Sequence, residues 1–175
     1  LITQAMVYAS PKISVVLTCF NGAQFIEQQL NSIVNQTLLP EEIIVCDDGS
    51  TDGTIQIVQA FITTHNIKLI LNPEQLGVVE NFKKAVSLTR EGNYIALSDQ
   101  DDIWMPNKLE VLYNALAELE ESQQEQAIPS IVYSDLILVN EHKNIINNSF
   151  WNELYHDKHE HCLHTLLFGN FVTGC

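Results

Sequence analysis

The chain has 175 residues, 46% of them apolar, and a formal charge of −14 from 22 acidic against 8 basic side chains. That is the size of one domain, able to bury about 70% of the surface its unfolded form exposes. Its acidity excludes a basic face for nucleic acid or an anionic membrane, because Lys12, Lys68, Lys83, Lys84, Arg90, Lys108, Lys143 and Lys158 are scattered along it.

Short β-rich runs alternate with helical periods. Ile13 to Thr18 is expected as the first strand, and Ala23 to about Asn35 as a helix with Ile26, Leu30 and Ile33 on one apolar face. Glu42 to Cys46 is the second expected strand; the helix after it, about Thr54 to Thr63, places Ile55, Val58 and Ile62 inward. A third strand, Ile67 to Leu71, precedes a helix carrying Val79, Phe82 and Val86. Tyr94 to Leu97 is the fourth strand. The fourth helix opens at Pro106, a favourable first-turn residue, and aligns Leu109, Leu112, Leu116 and Leu119 in a stripe that reads as core. Glu118 to Gln126 reads as a solvated helix end and loop, and Ile131 to Val139 as a fifth strand.

This alternation is the pattern of crossover units that build an α/β domain, a mostly parallel (mixed) sheet flanked by helices on both faces. A single domain over residues 1–175 is expected, with residues 1–10 a flexible lead-in. No window approaches the roughly 18 consecutive apolar residues of a membrane span, and Leu1 to Ser10 lacks the basic flank and long apolar stretch of a signal peptide. Cys19, Cys46, Cys162 and Cys175 show no C-x-x-C spacing, and two lie in apolar strand runs, where cysteine acts as a small hydrophobe. A soluble, cytoplasmic chain is therefore expected. Asn35-Gln36-Thr37 and Asn147-Asn148-Ser149 match the glycosylation acceptor pattern, but with no mark of secretion they read as chance. The apolar run Phe171 to Cys175 has no turn after it, which gives the expectation of a piece cut from something longer.

Ligands of open parallel sheets sit beyond the strand C-termini. Three polar clusters fall there: Thr18 to Gly22, Asp47 to Ser50, and Asp99-Gln100-Asp101-Asp102. In the last, carboxylates spaced Asp99-x-Asp101 suit one hard divalent ion, which held by few protein oxygens completes its shell with water and phosphate. Asp101 is the stronger ligand candidate; Asp99 would either share the metal or hold a ribose hydroxyl. The structural alternative is a polar turn with Asp102 near the start of the next helix. Trp104 is expected to pack beneath this loop.

Asp48, Ser50, Asp52, Gly53 and Ile55 imitate the opening of a calcium-binding loop, but its twelfth position would be Gln59, which has no carboxylate to give. A turn with Asp48 at the ligand edge and Ser50 or Thr51 capping the helix is the stronger reading. A carboxylate there accepts a base N–H or a sugar hydroxyl. No G-x-G-x-x-G or G-x-x-x-x-G-K-[ST] occurs, so no glycine loop cradles phosphate and a metal must meet the diphosphate charge. His156, His159, His161 and His164, with Asp157 and Cys162 among them, match no zinc spacing and read as a polar, partly exposed helix.

In their order and spacing, Ile13 to Gly22, Ser32 to Thr37, Glu42 to Asp52 and Leu97 to Trp104 resemble the inverting family 2 nucleotide-sugar glycosyltransferases, in particular bacterial rhamnosyltransferase-like members that build surface polysaccharides. The resemblance covers nearly the whole chain. It implies a GT-A-like, Rossmann-type donor-binding domain in which Thr18, Phe20 and Asn21 line the base pocket, Asp48 contacts the base and Asp99 approaches the ribose. Asp101, matching the last acid of the family's DxD motif, would hold Mg²⁺ or Mn²⁺ against the diphosphate, and Gly77 and Asn81 would line the nucleotide cleft. The partners implied are a nucleoside-diphosphate sugar donor and a saccharide or lipid-linked acceptor, at the inner face of the membrane in the full-length protein. The family's base lies past a further strand resembling Phe168 to Cys175, so it is expected beyond residue 175; Asp135 and Asp157 match no motif and are assigned no role. Two other classes stay open, a non-catalytic nucleotide-sugar binding module and a sugar nucleotidyltransferase.

Overall fold

The computed structural model describes residues 11–123 and 129–153. The cluster from His156 to His164 and the run from Phe168 to Cys175 lie outside them. The chain divides into two compact units, one ending at Tyr113 and the other beginning at Asn114.

The first unit is built on a four-stranded parallel sheet in the order β3-β2-β1-β4, from β1 (Ile13–Cys19), β2 (Glu42–Asp47), β3 (Ile67–Leu71) and β4 (Tyr94–Ser98). All seven residues of β1 and all six of β2 are buried, which is why both read as unbroken rather than alternating runs. Helices α1 (Ile26–Val34) and α2 (Thr54–Ile62) cover one face, joining Val15, Leu17 and Val45 in the main core. Helix α3 (Val78–Val86) covers the other, over Val16, Ile44 and Cys46. Fully burying each of Ile26, Leu30 and Ile33 contributes about 1.5–3 kcal/mol. These three are the face expected of α1.

On α2 and α3 the inward faces differ from expectation. α2 packs through Thr54, Ile57, Val58 and Phe61, leaving Ile62 38% exposed. α3 packs through Asn81, Phe82, Ala85 and Val86, leaving Val79 65% exposed. Helix α4 (Lys108–Ser122) buries Leu109, half-buries Leu112 and Leu116 and leaves Leu119 38% exposed, so the leucine stripe is core only at its start. Trp104 is buried in the main core as expected, with the Lys108 Nζ 4.8 Å from its ring centroid.

In the second unit β5 (Leu138–Val139) and β6 (Ile145–Asn147) form an antiparallel pair, followed by the single turn α5 (Phe150–Glu153). The expected strand over Ile131 to Val139 shrinks to β5. Asp135 explains the loss: Oδ1 accepts the Leu136 and Trp151 N–H groups and Oδ2 the Ser149 hydroxyl, which ties the chain to the start of α5 and withdraws donors from a ladder. Among the described residues no helix is long and apolar enough to cross a membrane.

The register sets the site. Cys19 lies opposite Asp47, Leu17 opposite Ser98 and Asp47 opposite Leu71, so the residues that follow β1, β2, β3 and β4 emerge at one edge of the sheet.

Candidate functional site

The loop after β1 spends its backbone donors on the rest of the fold. Phe20 N–H donates to Gln100 Oε1 at 2.9 Å, Asn21 N–H to Ser50 Oγ at 2.8 Å, Gly22 N–H to Thr54 Oγ1 at 2.8 Å and Ala23 N–H to Asp52 Oδ2 at 3.1 Å. Four consecutive amides that would otherwise cradle an anion are thus occupied. Gln100 also donates through Nε2 to Phe20 O at 3.2 Å, locking this loop to the acidic one. A Cβ on Gly22 would stand 2.2 Å from Gln100 Oε1 and 2.6 Å from Cδ. Gly22→Ala is therefore expected to swing the flexible Gln100 side chain off Phe20 and, with only these two exposed hydrogen bonds lost, to cost about 1 kcal/mol in denaturant unfolding, whereas an unchanged midpoint would show that the loop does not depend on this clamp.

After β2, both aspartates organise backbone. Asp47 is buried; its Oδ1 accepts the Gly49 and Ser50 N–H groups, and Oδ2 lies 3.4 Å from the Cys19 thiol. Burial, then the Asp47 charge, pushes that thiol far above its ordinary range, so Cys19 is an inert neutral group. Asp48, 4% exposed, accepts from Asn72 Nδ2 and Leu76 N–H on Oδ1, at 2.7 and 2.8 Å, and from Gly77 N–H on Oδ2 at 2.8 Å. Burial disfavours its charge, but the donors of Leu76, Asn72 and Gly77 and the Lys84 ammonium outweigh it, holding the carboxyl below the usual range. Gly77 takes φ of 81°, a conformation glycine adopts at little cost, and so turns the chain into α3. Asn72 is the hub: it also donates to Asn81 Oδ1 and accepts from Lys84 Nζ, while Asn81 Nδ2 reaches Cys46 O.

Neither Ser50 nor Thr51 caps α2. The N-cap is Gly53, which has no side chain to give; one residue earlier Asp52 accepts the Thr54 N–H and hydroxyl on Oδ1, and these bonds hold its carboxyl low. With Asp48 and Asp52 committed to different partners, the resemblance to a calcium loop has no counterpart in space. Asp102 does not cap α4, which begins at Lys108 beyond Pro106.

The three strand ends meet around an open cleft of ≈ 450 Å³. Thr18, Phe20, Asp48, Gly77, Asn81, Asp99 and Asp101, all expected at the site, line it. Asn21 does not; its Oδ1 accepts the Thr51 N–H and, with φ of 48°, it fastens the β1 loop to the loop after β2. Cys19 and Gln100, from two of the clusters expected at this edge, also line the cleft, and Gln75 and Val78 line it unexpectedly. Gln100 was legible as the middle of Asp99-x-Asp101; Gln75 carried no signal. Three lining side chains are acidic and none is Lys or Arg. Burial, then the charges of Asp102 and Asp101, raises the Asp99 carboxyl above the ordinary aspartate range, the condition a cation relieves. Hard oxygen donors of this kind fit Mg²⁺ or Mn²⁺. Among the described residues no three His, Cys, Asp or Glu side chains are set to hold a metal by themselves, so an ion here would take its other ligands from water or phosphate.

The family model for "Glycosyl transferase family 2" matches residues 14–174. The chain is similar to the cholesterol galactosyltransferase of Borreliella burgdorferi, 35% identical over 59% of this chain and 28% of that protein. Among solved structures it resembles residues 1–349 of S. aureus TarS in complex with UDP-GlcNAc, with TM-score 0.54 and 27% identity over 74% of this chain and 41% of that one. It also resembles the mannosyltransferase PcManGT from Pyrobaculum calidifontis in complex with GDP-Man and Mn²⁺, with TM-score 0.55 and 25% identity over 72% of this chain and 36% of that one. The fold is thus that of these GT-A-like neighbours. The chain spans less than half the length of each of the three.

Proposed function

This chain belongs to glycosyl transferase family 2, and from that premise we propose that it forms the donor-binding part of an enzyme that moves a hexosyl or rhamnosyl group, with inversion, from a nucleoside-diphosphate sugar to a saccharide or lipid-linked hydroxyl in bacterial surface polysaccharide synthesis. The observation that carries this reading is the convergence of the β1, β2 and β4 ends on one acidic cleft whose lining holds no cationic side chain. The family match runs through both compact units, which supports treating residues 1–175 as one domain.

In this proposal Thr18 and Phe20 flank the base, and Asp48, kept ionised and with acceptor capacity left on Oδ2, takes a base N–H. Asp101, with Asp99 beside it, holds Mg²⁺ or Mn²⁺; alternatively Asp99 receives a ribose hydroxyl. When bound, the ion supplies charge neutralisation for the departing diphosphate. The chain's own contribution is to present two carboxylates from a loop pinned to Phe20 through Gln100. Mn²⁺ in the PcManGT complex supports a divalent ion here.

The acceptor hydroxyl must lose its proton to attack, which calls for a carboxylate base. Asp135 is committed to Ser149, Leu136 and Trp151, and we place the base beyond residue 175. A sugar nucleotidyltransferase is disfavoured because the β1 loop has neither Lys nor Arg and its Phe20 to Ala23 amides are spent. We place the protein in the cytoplasm, on the strength of the free, buried Cys19 and Cys46.

Calorimetric titration with UDP, dTDP and GDP, with and without Mn²⁺, is the test. At least one is expected to bind, and more tightly with the metal present; binding of none would remove the donor reading.

A further inference from the structure

Gln29 is a polar residue on an apolar stripe. It lies between Ile26 and Ile33 on the inner face of α1 and is as fully buried as they are. A carboxamide there must satisfy two N–H donors and an acceptor oxygen without water. In the orientation that meets all its neighbours, its oxygen accepts from Ser98 Oγ at 2.7 Å and Trp104 Nε1 at 3.1 Å. Its nitrogen then donates to Asp102 O at 2.6 Å and Ser32 Oγ at 2.8 Å. Ser32 Oγ in turn accepts the Trp104 N–H at 3.0 Å.

Three of the four partners belong to the segment that carries the acidic pair. Ser98 immediately precedes Asp99, and Asp102 immediately follows Asp101. One side chain from a different element therefore grips the acidic pair from both sides. Gln36, two residues past the end of α1, adds to the grip, donating to Met105 O at 2.8 Å and accepting the Leu109 N–H at 3.0 Å.

The physical need for such a grip is plain from the charges. Asp99, Asp101 and Asp102 place three like charges within four residues, and these repel one another. A loop free to relax would separate them before any cation arrived, and binding would then have to draw them together again. Ligands held in advance by hydrogen-bonded neighbours avoid that reorganisation.

We propose that Gln29 is the positioning residue of the acidic pair: by holding Ser98 and the Asp102 carbonyl from one buried point, it keeps Asp99 and Asp101 converged and sets how tightly the cleft takes a divalent cation with a diphosphate. This rests on the donor-binding reading above. The experiment uses Gln29→Met, which keeps the length of the side chain and removes all four hydrogen bonds. Mn²⁺ with UDP, and with GDP in parallel, is titrated into the wild type and the variant; uridine and guanosine without metal report the base pocket.

The variant is expected to bind the metal and diphosphate about tenfold more weakly, with nucleoside affinity and a cooperative unfolding transition retained. Equal metal-dependent binding by both proteins, or loss of nucleoside and diphosphate affinity in the same proportion, overturns the positioning role and leaves the donor reading standing. No Mn²⁺-dependent binding by the folded wild type overturns both. If Gln29→Met does not fold, Ser98→Ala, which deletes one partner at the head of the acidic pair, carries the same comparison. About a fivefold loss of metal-dependent binding is then expected, and wild-type binding refutes the role.

Discussion

Asp101→Asn is expected to weaken Mn²⁺-dependent nucleoside diphosphate binding about a hundredfold or more, because even partners that merely orient metal ligands cost ten- to hundredfold when removed. The substitution keeps the shape of the side chain and one oxygen and deletes the charge. Nucleoside affinity without metal should not change, and calorimetry separates the two. The pH dependence follows from Asp99, whose carboxyl is raised by burial and then by the charges of Asp102 and Asp101. A protonated Asp99 offers the ion no charge, so wild-type affinity should fall as pH drops through that raised value, above the ordinary aspartate value of about 3.9. With one of the repelling charges deleted, the fall in Asp101→Asn should set in at lower pH. Undiminished metal-dependent binding in the variant would remove Asp101 from the site.

Asp48→Asn carries the second large effect, on stability and on binding together. The wild-type carboxylate accepts from three donors, Asn72 Nδ2, Leu76 N–H and Gly77 N–H. An amide turns one accepting oxygen into a donor that faces another donor, and leaving a buried polar group unsatisfied beside a lost charge-assisted bond costs about 2–4 kcal/mol. Urea unfolding measures this. Because the folded carboxyl lies below its unfolded value, its contribution is complete above about 3.9 and is lost as pH falls through the depressed folded value. The gap between wild type and variant should therefore close on acidification. Since the same carboxylate anchors Gly77 at the cleft, nucleotide affinity should fall as well. A variant of wild-type stability at neutral pH would show that the Leu76–Gly77 turn stands without Asp48.

The parts of the fold that could be read from the sequence were those where one pattern admits one structure. β1 and β2 are apolar but for Ser14, Thr18 and the terminal Glu42 and Asp47, and are buried throughout; α1 has one apolar stripe, and it points inward. α2 was harder because Ile55, Ile57, Val58, Phe61 and Ile62 spread around the helix, so more than one face satisfies helical spacing. On α3 the inward face carries Asn81, a polar residue buried for its bonds to Asn72 and Cys46. The 131–139 run has strand composition, but Asp135 diverts it.

At the site, residue types at strand ends located most of the cleft, because a parallel sheet delivers those ends to one edge. What they did not disclose was how the carboxylates are already engaged. Asp47, Asp48 and Asp52 look alike in sequence, yet one ties the turn after β2, one holds the turn before α3 and one joins the β1 loop to the first residue of α2. Asn72 and Lys84 acquire their part only where β3 and α3 come together. Gln29 did leave a trace, since it occupies a place on the stripe of Ile26, Leu30 and Ile33 where an apolar residue belongs.

The most direct measurement is anomalous scattering from crystals of this chain grown with Mn²⁺ and UDP, with GDP as the parallel case. The expected map has a manganese peak in contact with Asp101 and the diphosphate, and the base lying against Thr18 and Asp48. A diphosphate bound in the cleft with no metal beside Asp101, or bound away from the cleft altogether, would contradict the proposal that a cation on this acidic pair receives the donor.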